Sequence, residues 1–270
     1  MKRVKLAAHR GYMGKYPENT IVAYKAALSL DIDQVEIDLH MTSDGEIVMI
    51  HDHTVDRTTN GKGFVKDKTL AEIRALDAGS HKGEQFKGEK IPLFTEYLEL
   101  MKDYPDIETN VEIKEYPETN ERWQEAVDKI IALIEKYDIS SKIYINTWSG
   151  EVAMYVSKKY NGKYRLHGYY PIWLNHGNYD QNELYKHLYC VCLFNVSIDE
   201  NGKRVFNSNP IMGKEHFDYV KSLGLEAWVH FPAKYDDIKS AYDNGADAYT
   251  LNDVEDGIKH LNDCGARISK

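Results

Sequence analysis

Along this chain, short runs of alternating apolar and polar residues take turns with longer stretches whose apolar positions recur every three to four residues. Val4 to Ala8, Thr109 to Lys114, Lys142 to Asn146, Arg165 to Tyr169, Tyr189 to Phe194, Glu226 to His230 and Ala248 to Leu251 read as strands. Between them, helices are predicted from about Asn19 to Leu30, Phe94 to Met101, Glu121 to Tyr137, Glu151 to Tyr160, Met212 to Ser222 and Tyr235 to Asn244. The strongest is Glu121 to Tyr137, where Trp123, Val127, Ile130, Ile131 and Ile134 fall on one stripe. Strand and helix alternating in this way imply parallel strands joined by right-handed crossovers. About eight such units fit a closed (β/α)8 barrel, the TIM barrel of the α/β class.

One stretch does not follow the rule. Val35 to Asp52 reads VEIDLHMTSDGEIVMIHD: a strand, an Asp44-Gly45 turn signal, a second strand and then His51. Period two places Glu36 and Asp38 on one face and Val35, Ile37 and Leu39 on the other. After it, residues 54 to 92 show no long period and carry five glycines. A connection of that length is expected to be an insertion after the second strand, at about 53 to 92, within a single domain spanning 1 to 270.

Composition narrows the function. The 270 residues carry a net charge of −9 with 42% hydrophobic and 29% charged residues, and no long run of one sign. That balance argues against nucleic acid as a partner, and no apolar run is long enough for membrane insertion. The first residues lack the apolar core of a secretory signal, so a cytoplasmic location is expected. Cys190, Cys192 and Cys264 are an odd number, two of them inside the apolar YCVCLF, and read as thiols of a reducing compartment.

In a barrel, functional residues gather at the C-terminal ends of the strands. The polar candidates fall there: His9 and Arg10 after the first strand, Glu36 and Asp38 on the second, His51 after the turn, and Glu112 with Lys114 at the end of a later strand. His9-Arg10-Gly11, Glu18-Asn19-Thr20, Glu36-x-Asp38, Thr42-x-Asp44-Gly45, His51-Asp52, Arg57-Thr58-Thr59 and Glu112-x-Lys114 occur in the order and spacing of the glycerophosphodiester phosphodiesterase family, which the chain resembles. The likeness is dense from His9 to Thr59 and thinner afterwards, with echoes at Trp228 and at Gly245-Ala246-Asp247 followed by Asn252.

The resemblance implies a TIM barrel, one divalent metal, and hydrolysis of small-molecule glycerophosphodiesters to glycerol 3-phosphate and an alcohol. It implies that His9 and His51 are the general acid and base, without saying which is which. Glu36, Asp38 and Glu112 form an all-oxygen set suited to Mg²⁺ or Ca²⁺. Arg10 and Lys114 are expected to contact the phosphate, and Trp228 to line the pocket and touch glycerol. Asn19 is expected to cap the first helix and to hold the His9 loop; His40 is left outside the site.

Two departures from the family pattern bear on the pocket. Val229-His230-Phe231 follows Trp228 where Thr-Val-Asn is usual, and Leu251 and Val254 replace Thr and Pro around Asn252. Neither touches an expected ligand or histidine, so they are expected to change substrate choice. The alternatives are a related barrel enzyme acting on another phosphodiester or an intact lipid, and a non-catalytic barrel that binds a metal or phosphate.

Overall fold

A computed structural model describes residues 3–267. Eleven strands are present among these residues: β1 Lys5–Ala8, β2 Gln34–Met41, β3 Ile47–Met49, β4 Glu108–Ile113, β5 Ile143–Asn146, β6 Arg165–Tyr170, β7 Cys190–Leu193, β8 Val196–Ile198, β9 Arg204–Phe206, β10 Glu226–His230 and β11 Ala248–Leu251. Eight of them run parallel in the order β1-β11-β10-β7-β6-β5-β4-β2, and pairing of β1 with β2 closes the ring. The expected barrel is the observed fold. β3 lies antiparallel beside β2, with Leu39 opposite Met49, so the Asp44-Gly45 turn makes the hairpin its sequence predicts.

Outward-facing residues of the strands, among them Leu6, Val35, Ile37, Val111, Ile113, Ile143 and Ile145, pack against the helices in one continuous core. Helix Trp123–Lys136 contributes Ala126, Val127, Ile130, Ile131 and Ile134 to it. Inward-facing residues fill the barrel in layers. At the N-terminal end Lys5 lies 3.0 Å from Glu108, and Arg165 lies 2.7 Å from the same carboxylate. Above this ionic floor, Tyr144, Cys190, Trp228 and Ala248 form an apolar layer. The polar residues then face the open C-terminal mouth.

Residues 53–92 wind into short helical turns over that mouth. They bury Val55, Val65, Ile73, Ala78 and Ile91 against Val48 and Ile50 of the β3 region, a small core separate from the main one. Helix Leu70–Ala75 begins at a Thr69/Glu72 capping box. No helix among the described residues is long and apolar enough to cross a membrane. Cys190, Cys192 and Cys264 are free thiols, the first two buried.

Candidate active site

β2 and β4 are in register so that Asp38 pairs with Glu112 and Glu36 with Asn110. The strand alternation that puts Glu36 and Asp38 on one face therefore sets Glu112 beside them. Ligand atoms of the three carboxylates all lie within 4.8 Å of one another, and all three residues are buried. Burial, with Asp38 and Glu112 next to it, pushes Glu36 well above the usual carboxylate range. Asp38 is also buried, but the cations of Lys114 and Arg10 outweigh that penalty and hold it well below its ordinary value.

A trio of this kind lacks positive charge. Glu36 Oε1 is buried without a hydrogen-bond partner, a cost that a bound cation would remove. The residues present fit a hard divalent ion, because every donor is a carboxylate oxygen. Lys114 Nζ supplies part of the missing charge: it binds Glu112 and lies 3.1 Å from Asp38 Oδ1. Arg10 supplies more, with Nε 3.2 Å from Asp38 Oδ2 and its backbone N–H donating to Glu36 Oε2 at 2.9 Å.

The two histidines stand beside this cluster on different supports. His9 follows β1 and is 6% exposed. Its Nδ1 lies 2.6 Å from Asn252 Oδ1. An amide oxygen only accepts, so the ring proton sits on Nδ1 and Nε2 is left as an acceptor, 3.8 Å from Glu36 Oε2. Burial, and then the Arg10 cation, lower its pKa to about 3. His51 is more open, and its Nδ1 donates to Asp52 Oδ1 at 2.6 Å. Arg57 Nε holds the other Asp52 oxygen at 2.7 Å, and its terminal nitrogens grip both oxygens of Glu18 at 2.7 Å. Glu18 in turn accepts from Arg10 at 2.7 Å. A chain of charged side chains thus runs from His51 around to the carboxylates.

Most of the expected residues converge: His9, Arg10, Glu36, Asp38, His51, Glu112 and Lys114 share one mouth. Trp228 does not join them. It is fully buried in the layer below, 5.1 Å from the Tyr144 ring, and its Nε1 donates to Glu226 at the opposite end of the strand. The depth of Trp228 in the barrel puts it under the site, where it does not line the mouth; Phe231 stands there, with its ring 4.5 Å from that of His9.

Asn19 does not cap the first helix. The first helix is Ile21–Leu28, and its N-cap is Thr20. Asn19 adopts a left-handed conformation, φ 55°. Its Nδ2 donates to Asp38 Oδ2 at 2.7 Å, and its Oδ1 accepts from the Asp38 N–H at 3.2 Å and from Tyr24 at 2.7 Å. The expected hold on the His9 loop is present as a backbone bond from Asn19 N–H to Arg10 O, 3.0 Å. His40 lies outside the carboxylate cluster, bound to Glu115. The motifs at Glu18, Asp52, Arg57 and Asn252 are visible in the sequence, but the Asp52–Arg57–Glu18 network and the bond from His9 to Asn252 come from the folding together of separate loops.

The glycerophosphoryl diester phosphodiesterase family profile matches residues 9–253. Over 146 residues the chain is 47% identical to a glycerophosphodiester phosphodiesterase of Caldanaerobacter subterraneus subsp. tengcongensis, covering 53% of this chain and 57% of the relative. A glycerophosphodiester phosphodiesterase of Bacillus subtilis is 39% identical over 148 residues, covering 52% of this chain and 48% of the relative. The alignments thus span about half the length of these curated relatives. In structure, the chain resembles an Oleispira antarctica phosphodiesterase solved with its product sn-glycerol-3-phosphate: TM-score 0.77, 21% identity, 96% of each chain covered. It likewise resembles the glycerophosphodiester phosphodiesterase of Thermotoga maritima: TM-score 0.69, 18% identity, 96% of this chain and 99% of that one. With a family match across nearly the whole barrel, this chain belongs to the glycerophosphoryl diester phosphodiesterase family.

Proposed function

We propose that this chain hydrolyses glycerophosphodiesters to glycerol 3-phosphate and an alcohol, using a divalent cation held by Glu36, Asp38 and Glu112. One observation carries the reading: three buried carboxylates lie next to two imidazoles anchored in different ways. A site that only binds has no need of two proton-transfer groups. When bound, the cation would neutralise the non-bridging oxygens of the phosphodiester. The all-oxygen set favours Mg²⁺ or Ca²⁺.

The supports of the histidines divide their work. His9 is kept neutral by burial, with Nε2 as acceptor, so it is the base that takes the proton of the attacking hydroxyl. Burial, and then the Lys114 cation, lower the pKa of His51, which makes its imidazolium a ready proton donor, and Asp52 behind Nδ1 steadies that imidazolium. His51 is therefore the acid that gives a proton to the departing alcohol. Arg10 and Lys114, which now neutralise the carboxylates, are the cations nearest the place where the phosphate would sit. A cytoplasmic location suits the free thiols.

The test is release of glycerol 3-phosphate from a panel of glycerophosphodiesters, with Mg²⁺ or Ca²⁺ or with chelator, for the wild type and for His51→Ala. Release that needs the cation and is lost with His51 supports the assignment. Full activity in chelator and in the variant would overturn it.

A further inference from the structure

A cavity of about 490 Å³ lies between the insertion and the loop that follows β4, a volume in the range of small-molecule sites. Buried His40 and Glu115 line its depth, with half-buried His53 and Thr119 and the exposed ring of Phe64 nearer the surface. Lys66 Nζ donates to Thr119 O at 2.7 Å and so ties the insertion to the loop across it.

The cavity adjoins the half of the mouth that holds His51. His40 Nε2 lies 3.3 Å from the His51 carbonyl oxygen. The His53 ring stands 5.0 Å from that of His40 and 5.7 Å from that of Tyr116. Tyr116 in turn reaches the carboxylate cluster: burial raises the pKa of its hydroxyl and the Lys114 cation opposes the rise. A second hollow beside His51, lined by Glu18, Asn19 and Thr58, measures about 10 Å³, roughly what one water needs. In the proposed reaction the departing oxygen takes its proton from His51, so the rest of that alcohol extends from this side, and the larger cavity is the one with room for it.

We infer that this cavity is the subsite for the departing alcohol, and that it selects an uncharged alcohol rich in hydroxyls, with His53 as the residue that reads them. The inference rests on the proposed phosphodiesterase reaction and on His51 as its acid. Neither ring nitrogen of His53 is hydrogen-bonded among the described residues. Burial, and then His40, keep the ring neutral by lowering its pKa to about 4, and a neutral imidazole offers one donor and one acceptor, the pair a hydroxyl satisfies. An ammonium finds less. The Glu115 oxygens already accept from His40, from the Met41 N–H and from Asn120. Asp67 is exposed on the rim with Lys66 as its chain neighbour, and an ion pair in water there is worth little.

Two measurements test it. The first needs no turnover: calorimetry with Mg²⁺, in the His51→Ala protein, compares the methyl, inositol and choline esters of glycerol 3-phosphate. The inositol ester should bind at least tenfold more tightly than the methyl ester and at least threefold more tightly than the choline ester. His53→Phe, added to His51→Ala, keeps a ring beside Tyr116 without its hydrogen-bonding groups, and should cut the inositol advantage threefold or more. Thr119→Trp narrows the cavity from its other wall and should do the same, so a failure of either variant to fold leaves the other to decide. An inositol advantage that survives in every folded variant, or a choline ester bound as tightly as the inositol ester, overturns the inference whether or not the protein is a diesterase.

The second compares kcat/KM for the methyl and inositol esters in the wild type and in His53→Phe. Preference for the inositol ester, reduced by His53→Phe through KM more than through kcat, is the expected result. Equal cleavage of the two esters by the wild type overturns the assignment. Failure to cleave any diester counts against the proposed function, and the calorimetry then decides the cavity.

Discussion

Lys114 Nζ lies 3.1 Å from Asp38 Oδ1 and also binds Glu112, so one side-chain ammonium bridges two of the three clustered carboxylates and offsets part of their charge. Burial opposes its charge, but Asp38 and Glu112 outweigh burial and raise its pKa. Removing one partner of a buried ion pair leaves the other uncompensated, at a cost of about 3 to 5 kcal/mol. Lys114→Ala should therefore melt well below the wild type in chelator and recover much of the difference when Mg²⁺ or Ca²⁺ is added. The wild type should gain less from the same addition, since binding to the folded state alone stabilises it by mass action. Melting curves with and without cation check this, and equal cation-induced shifts in the two proteins would refute it.

The different anchors of His9 and His51 predict different kinetics. His51→Ala removes the proposed acid and should lower kcat by about 10²- to 10⁴-fold with little change in KM. Asp52→Asn keeps the hydrogen bond to Nδ1 but removes the negative charge behind the ring, and should cost less. The discriminating readout is the leaving group. Esters of acidic alcohols need no proton on departure, so they should be spared in His51→Ala and not in His9→Ala. Identical losses for both substrates in both variants would show that the division of roles is wrong.

How far the sequence exposes this arrangement depends on the kind of signal each residue leaves. Strands facing a core leave a periodic trace, and β10 and β11 fall where the pattern predicts them, Glu226–His230 and Ala248–Leu251. The β8–β9 hairpin leaves none: its residues are exposed or half-exposed on both strands, and polar residues interrupt it. Trp228 shows a second limit. Alternation gives the face of a side chain, while its height along the barrel comes from register, here Trp228 beside Cys192 and Ala248. The carboxylate trio was legible because Glu36 and Asp38 share one strand and Glu112 ends another. The Asp52–Arg57–Glu18 network joins loops, whose geometry no period encodes.

Asn19 is the residue whose local chemistry and site chemistry are hardest to separate. Asn19→Ala loses the side-chain bonds to Asp38 and Tyr24 and leaves alanine, which tolerates the left-handed region less well than asparagine, at φ 55°. Breaking buried hydrogen bonds costs about 1 to 3 kcal/mol, and the left-handed backbone adds about 1 to 2 kcal/mol for a residue other than Gly or Asn. Asn19→Gly relieves the backbone cost and keeps the hydrogen-bond loss. The glycine variant should thus be the more stable of the two, yet both should show weakened cation binding because Asp38 is no longer held. Denaturant titration and cation titration measure the two effects separately; glycine restoring both would mean that Asn19 serves the turn alone.

Buried imidazoles make stability depend on pH in a direction that can be worked out. Burial lowers His53 to about 4, with His40 adding to the effect, and lowers His167 well below its ordinary value. The unfolded chain takes up protons near pH 6.5 while the folded one resists, so acid favours unfolding. The stabilisation is complete above about pH 6.5 and is lost as pH falls toward 4 for His53, and further down for His167. Between pH 6.5 and 5 a wholly buried neutral histidine loses about 2 kcal/mol, at about 1.4 kcal/mol per pH unit. His167 fits that case, being fully buried with Nε2 unpartnered, and the half-buried His53 should contribute less. Urea titrations at pH 7.5 and 5 should show the wild type losing stability, and His167→Gln losing about 2 kcal/mol less over the same interval. Parallel losses in the two proteins would mean that His167 does not sense the change.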